Sequence, residues 1–120
     1  MIATEEVRTT APGAAFNKPA YRYIRAADRL PTTDEAWGAA DPMVLVKLFD
    51  PAGAGTWYIA GYDRETGRAF GAVRIHELEV GDFDIWELVG LRGRPFGLPI
   101  ERDLHWRPAH LSAVLDGSSR

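Results

Sequence analysis

The chain has 120 residues, 46% hydrophobic and 26% charged, with 14 Lys and Arg against 17 Asp and Glu for a net charge of −3. That length suits one domain with its own core, and the slight acidity argues against broad non-specific affinity for nucleic acid, which needs many cations. The absence of cysteine excludes disulfides, thiolate metal sites and thiol nucleophiles. No apolar run approaches the roughly 20 residues of a membrane helix, and the polar start MIATEEVRTTAPG lacks a secretory core. These features predict a soluble, cytoplasmic protein with no membrane contact.

In chain order, Met1–Gly13 reads as an arm. Ala20–Ala27 fits either a strand or a short helix, with Tyr21, Tyr23 and Arg25 on one face and Arg22 and Ile24 on the other. Pro31 stops that element. Thr32 and Glu35 have the spacing of a capping box, which predicts a short helix to about Ala39. Asp41-Pro42 ends it, because a residue before proline is pushed out of the helical region. Met43–Phe49 has strand composition, with Val44, Val46 and Leu48 on one face. Asp50–Gly55 is a turn. Thr56–Tyr62 predicts a second strand, Asp63–Gly67 a hairpin connection, and Ala69–His76 a third strand. Residues 43–76 therefore read as an antiparallel meander.

Glu77–Gly81 reads as a loop or a short edge strand. Asp84 and Glu87 form a second capping box, and Ile85, Leu88 and Val89 recur at the spacing of a helix core face. Gly93 fits the position after a helix end, with Pro95 beyond it. Phe96–Ile100 predicts an ordered apolar loop, Arg102–Arg107 a last strand with Leu104 and Trp106 inward, and Leu111–Leu115 a final helical turn. The predicted fold class is α+β: a small antiparallel sheet of three to five strands, with two or three short helices mainly on one face. The predicted organisation is an N-terminal extension over 1–40, one α+β domain over 41–116 and a frayed tail over 117–120.

Three residue groups carry candidate chemistry. Glu101, Asp103 and His105 alternate, so a strand there would put two carboxylates and an imidazole on one face, suited to a divalent metal and phosphodiester hydrolysis. His76 is a candidate fourth member. The competing reading of the same segment is an ion-pair lock through Arg102. Lys18, Tyr21, Arg22, Tyr23 and Arg25 interleave cations with aromatics, as single-stranded nucleic acid requires; the alternative is an arm packing its tyrosines on the sheet. Glu77, Glu79, Asp82 and Asp84 form an acidic run that would face a basic partner, or serve as a polar loop with Asp84 capping a helix. The glycines form no phosphate loop, and the serines of the C-terminal region lack a nucleophile elbow. The four tryptophans are expected to build the core, any exposed one marking an interface.

The string VKLFDPAGAGTWYIAGYDRETGRAFGAV, a capped helix ending in LRG, and then FGLPIERDLHWRP resemble domain of unknown function 2958. This is a family of small bacterial proteins of plasmids, integrative elements and phages. The resemblance spans about Val44–Leu115. Two departures from the family pattern stand out: IHELEVGDFD replaces a glycine-rich stretch before the capped helix, and the first 40 residues differ from the usual N-terminus. The resemblance implies an accessory protein of a mobile element, acting near antirestriction and DNA-transfer functions. Some members are described as single-stranded DNA endonucleases. The leading expectation is thus a non-enzymatic interaction protein with a protein partner and no cofactor. The rivals are a nuclease using a divalent metal and a single-stranded nucleic-acid-binding module.

Overall fold

The computed structural model describes residues 23–90, 92–93 and 98–120. A 3-10 turn, Ala26–Asp28, precedes helix α1, Thr33–Gly38. Five strands follow: β1 Met43–Val44, β2 Val46–Phe49, β3 Thr56–Tyr62, β4 Arg68–Arg74 and β5 Leu78–Asp84. Helix α2 is Ile85–Gly90. The remaining elements are β6 Arg92–Gly93, β7 Leu98–Pro99, β8 Glu101–Arg102, β9 Ala109–His110 and helix α3 Leu111–Leu115. The architecture is α+β: an antiparallel five-stranded sheet in the order β5-β4-β3-β2-β8, with the short pairs β1–β9 and β6–β7.

The meander forms because its turns are locally determined. Asp63 N–H donates to the Arg68 carbonyl and Gly67 N–H to the Asp63 carbonyl, closing the β3–β4 hairpin. Gly67 adopts φ 79°, a left-handed conformation that glycine enters without steric cost. The same Asp63 anchors α1: its carboxylate accepts from Thr33 N–H at 2.9 Å and from Thr33 Oγ1 at 2.6 Å. At the helix start Thr32 Oγ1 accepts from Glu35 N–H while Glu35 accepts from Thr32 N–H, the reciprocal cap that the spacing predicts. Helix α1 lies directly on the sheet at Gly61. A Cβ there would sit 2.8 Å from both Ala36 Cβ and the Thr32 carbonyl.

The β3–β4 register shifts between Ile59 and Gly61. One extra residue in β3 places Ile59 and Tyr62 in the same core cluster although their spacing in an unbroken strand would oppose them. One sheet face packs Val46, Leu48, Trp57, Ile59 and Ala69 against α2 residues Ile85, Leu88 and Val89, together with Tyr23, Ile24 and Ile100. The other packs Tyr58, Ala60, Phe70 and Ala72 against Ala36 of α1 and Leu111 and Val114 of α3. The helices therefore divide between the faces, two on one and one on the other, rather than gathering mainly on one.

Four other local expectations are corrected. The segment 43–49 is not one strand: β1 pairs with β9 and β2 with β3 and β8, so Val44 joins the opposite core cluster from Val46 and Leu48. Helix α2 stops at Gly90, and Gly93 lies in β6 opposite Leu98. The third meander strand ends at Arg74 and the chain returns along Leu78–Asp84, a full edge strand. The last sheet strand ends at Arg102. Asp103 then starts a turn in which its Oδ1 accepts from His105 N–H at 2.9 Å, and Leu104 is 74% exposed rather than inward.

Candidate functional site

That turn dismantles the alternation on which a Glu101–Asp103–His105 metal face depends. Glu101 sits in β8 opposite Phe49, while Asp103 and His105 belong to the turn. Asp103 is occupied: Oδ2 lies 3.5 Å from Lys47 Nζ. The Lys47 ammonium also donates to the Arg120 carbonyl and stands 5.8 and 5.7 Å from the Tyr58 and Trp106 ring centroids. Burial pushes the Tyr58 phenol above its ordinary value, with Arg74 and Arg120 opposing and Asp103 assisting. The phenol therefore stays protonated at neutral pH. Trp106 donates from Nε1 to the Val44 carbonyl at 3.1 Å. This corner ties the C-terminal segment to the sheet. His76 lies beyond β4, on the connection to β5, at the opposite margin from β8. Four strand spacings, about 19 Å, separate those margins, so His76 and the acidic run cannot share a metal with Asp103. Among the described residues no group of three or more His, Asp or Glu is arranged to hold a metal ion.

Arg102 instead forms the ion-pair lock. Its Nη1 donates to the Tyr23 carbonyl at 2.8 Å and to Asp28 Oδ2 at 2.7 Å, and Nη2 donates to Asp28 Oδ1 at 2.7 Å. The two side chains are only 15% and 10% exposed. Desolvation acts to raise the Asp28 pKa. The Arg102 hydrogen bonds, the Arg25 backbone N–H and the charges of both arginines outweigh it, and the carboxyl lies below 3.8.

Of the proposed nucleic-acid segment, Lys18, Tyr21 and Arg22 lie outside the described residues. Tyr23 is buried and its hydroxyl donates to the Ile100 carbonyl at 2.7 Å, so its ring belongs to the core. Arg25 is exposed and caps the 3-10 turn through its backbone.

The acidic run is brought together on one exposed strand. Glu79, Asp82 and Asp84 lie in β5, Glu77 immediately before it and Glu87 in α2. No Lys or Arg interrupts the sequence from Ile75 to Gly90. Asp84 caps α2, its Oδ1 accepting from Trp86 N–H at 2.8 Å. Asp82 pairs with Arg68 at 3.1 Å, and Arg68 also reaches Asp34 of α1 at 3.8 Å. On its inner side β5 pairs with β4 without a bulge from Arg68↔Asp84 to Arg74↔Leu78. Among the described residues no strand pairs with its outer side. Two shallow depressions flank the strand. One, about 400 Å³, is lined by Arg68, Asp82, Asp84 and Glu87 among others; the second, about 440 Å³, by His76, Glu77 and Glu79 with Val73 and Ile75.

Two apolar residues that the sequence reading did not single out for this surface stand beside the run. Trp37 is 65% exposed, its ring edge-on to Phe70 at 4.9 Å. Val80 is 45% exposed and opposes Ala72, the next position outward from Phe70 on the same face. For Val80 a sequence signal existed, since Leu78-x-Val80 changes to Asp82-x-Asp84 along one strand face. For Trp37 none did: with Thr33 and Ala36 it has the i, i+3, i+4 spacing of a buried helix face. Trp57 is buried, and Trp86 and Trp106 are half-buried against the core. Trp37 is thus the tryptophan that fails to join it.

No helix among the described residues is long and apolar enough to cross a membrane. No curated protein and no solved structure matches the chain. A family model does match, over residues 23–118, and it begins upstream of the Val44–Leu115 stretch that carries the resemblance. That range takes in every described element from the Tyr23 anchor to α3, and so the chain belongs to the family described as Protein of unknown function (DUF2958).

Proposed function

We propose that the protein is a non-enzymatic, cytoplasmic accessory protein of a mobile genetic element. In this reading it acts by binding a protein of host-defence or DNA-processing machinery. The observation that carries the reading is the surface formed by β5 and α1. Among the described residues an acidic strand has no neighbouring strand along its outer side, and Trp37 and Val80 expose apolar area next to it. Large apolar side chains left in solvent beside an ordered margin are characteristic of interaction surfaces. The chemistry at the other margin points the same way. Asp103, Lys47 and Arg102 are engaged in holding the C-terminal segment and the N-terminal turn. The mobile-element setting comes from the family resemblance.

The test is site-specific photo-cross-linking in cells, with the cross-linking residue placed at Trp37, at Val80 or at the remote exposed Leu104. The reading expects one protein, identified by mass spectrometry, to be joined through Trp37 and Val80 and not through Leu104. Equal labelling at all three positions would overturn it. So would metal-dependent cleavage of single-stranded DNA by the purified chain that is lost in Asp103→Ala.

A further inference from the structure

We propose that β5 accepts an additional strand from the partner: an extended, basic segment that hydrogen-bonds along the outer edge of Leu78–Asp84. This rests on the reading of the β5–α1 surface as the interface and names the chemistry of what it binds.

The first support is backbone geometry. Sheet edges carry a row of outward N–H and C=O groups, and proteins commonly blunt them with proline, bulges, very short strands or charged side chains. Of these β5 has charge alone: it is seven residues long, with no proline and an unbroken register with β4, so its backbone is regular and its carboxylates select what can pair with it. It is a regular template for strand addition.

The second support is charge, which decides between occupants. A second copy of the chain pairing antiparallel about Gly81 would set Glu79 opposite Phe83, Asp82 opposite Val80 and Asp84 opposite Leu78, with the two Asp82 on a diagonal and no cation in either strand. Every carboxylate would then face an apolar residue, and the opposite-charge pairs that stabilise adjoining strands would be missing. The strand therefore discourages self-association while favouring a cationic partner. The two depressions place that preference at both ends. The residues that line them on β5, Glu79 at one end and Asp84 at the other, are about 17 Å apart along an extended chain. One strand of matching length reaches both.

The third support is the alternation of side chains. On the face shared with Trp37, β5 presents Leu78 and Val80 and then Asp82 and Asp84; on the other it presents Glu79, Gly81 and Phe83. An added antiparallel strand would meet this pattern with cations facing Asp84, Asp82 and Glu79, and with apolar residues facing Val80 and Leu78. A side chain facing Gly81 finds open space, since nothing lies within 4 Å of a Cβ built there.

The experiment is an amide NMR titration of the full chain with a synthetic peptide of that pattern, which detects millimolar binding. Three controls accompany it: a peptide with every cation replaced by glutamate, and two peptides N-methylated at alternate residues, one set on each edge. The expected result is a set of shifts concentrated at residues 78–84. Binding should weaken about tenfold or more on N-methylation of one edge and not the other, and should be lost in the glutamate peptide. Equal binding by both N-methylated peptides would overturn strand addition in favour of plain charge attraction. No shift with the native peptide would also overturn it. The cross-linking at Trp37 and Val80 reads the surface whatever the partner's shape. Failure of the peptide with those cross-links intact therefore removes the strand alone, and failure of both removes the interface.

Discussion

Replacing Arg102 by alanine isolates the junction that ties the N-terminal turn to the sheet. The guanidinium makes two bonds to Asp28 and one to the Tyr23 carbonyl, all between 2.7 and 2.8 Å. Truncation removes all three and leaves a carboxylate that is only 10% exposed without its counterion. Breaking a fully buried pair in this way costs about 3–5 kcal/mol. The residual exposure lets water reach the stranded carboxylate, which lowers the expectation to roughly 2–4 kcal/mol. In urea, with a slope of about 1.5 kcal/mol per molar, the midpoint should fall by roughly 1.3–2.7 M. Asp28→Asn gives the matching pH test. The folded-state pKa of Asp28 lies below its unfolded value of 3.8. Its contribution is complete above that value and is lost as pH falls through the lower, folded value. The wild type should therefore lose stability below about pH 4 more steeply than Asp28→Asn. A midpoint shift in Arg102→Ala worth less than about 0.5 kcal/mol, the size of an ordinary surface change, would refute the lock.

Three further outcomes are expected. Gly67→Ala forces a side chain into φ 79° with its Cβ 2.5 Å from the Trp86 ring, so thermal unfolding should show a loss of about 3 kcal/mol, roughly 10 °C in Tm. Trp106→Phe keeps an aromatic ring but leaves the Val44 carbonyl without its 3.1 Å donor, and chemical denaturation should register about 1–2 kcal/mol. Trp37→Ser, at a residue 65% exposed, should change stability by less than about 1 kcal/mol; a loss above about 3 kcal/mol would make Trp37 a core residue and remove the apolar half of the interface.

The parts of the fold readable in the sequence are those fixed by neighbours along the chain. The Thr32–Glu35 cap, the Asp63–Gly67 hairpin, the Thr56–Tyr62 strand and the Ile85, Leu88, Val89 face of α2 each depend on residues within a few positions. The misread parts depend on distant partners or on a side chain that competes with the backbone ladder. β1 parts from β2 at Leu45 because β1 pairs with β9, more than sixty residues away. The Glu101–Trp106 alternation imitates a strand, but Asp103 forms a side-chain-to-backbone turn that competes with the sheet ladder. The acidic residues of the candidate site were visible as a group. Their position on the outermost strand among the described residues was not, because strand order is a property of the whole sheet and β5 lies at its margin only once β2, β3 and β4 are ordered inside it.

The closure of the sheet by late elements has a consequence for synthesis. The meander of β2, β3, β4 and β5 emerges with its β2 margin bare and its Tyr58–Ala72 face half covered. Those are sealed only by β8 and by Leu111 and Val114 of α3. Until residue 102 has left the ribosome, the nascent meander carries unpaired strand margins on both sides of one sheet. Only the β5 margin is guarded by its carboxylates, so the β2 margin is the one that needs protection from neighbouring chains during translation. A messenger truncated between the codons for β5 and β8 would therefore yield a product prone to aggregate rather than a smaller working domain.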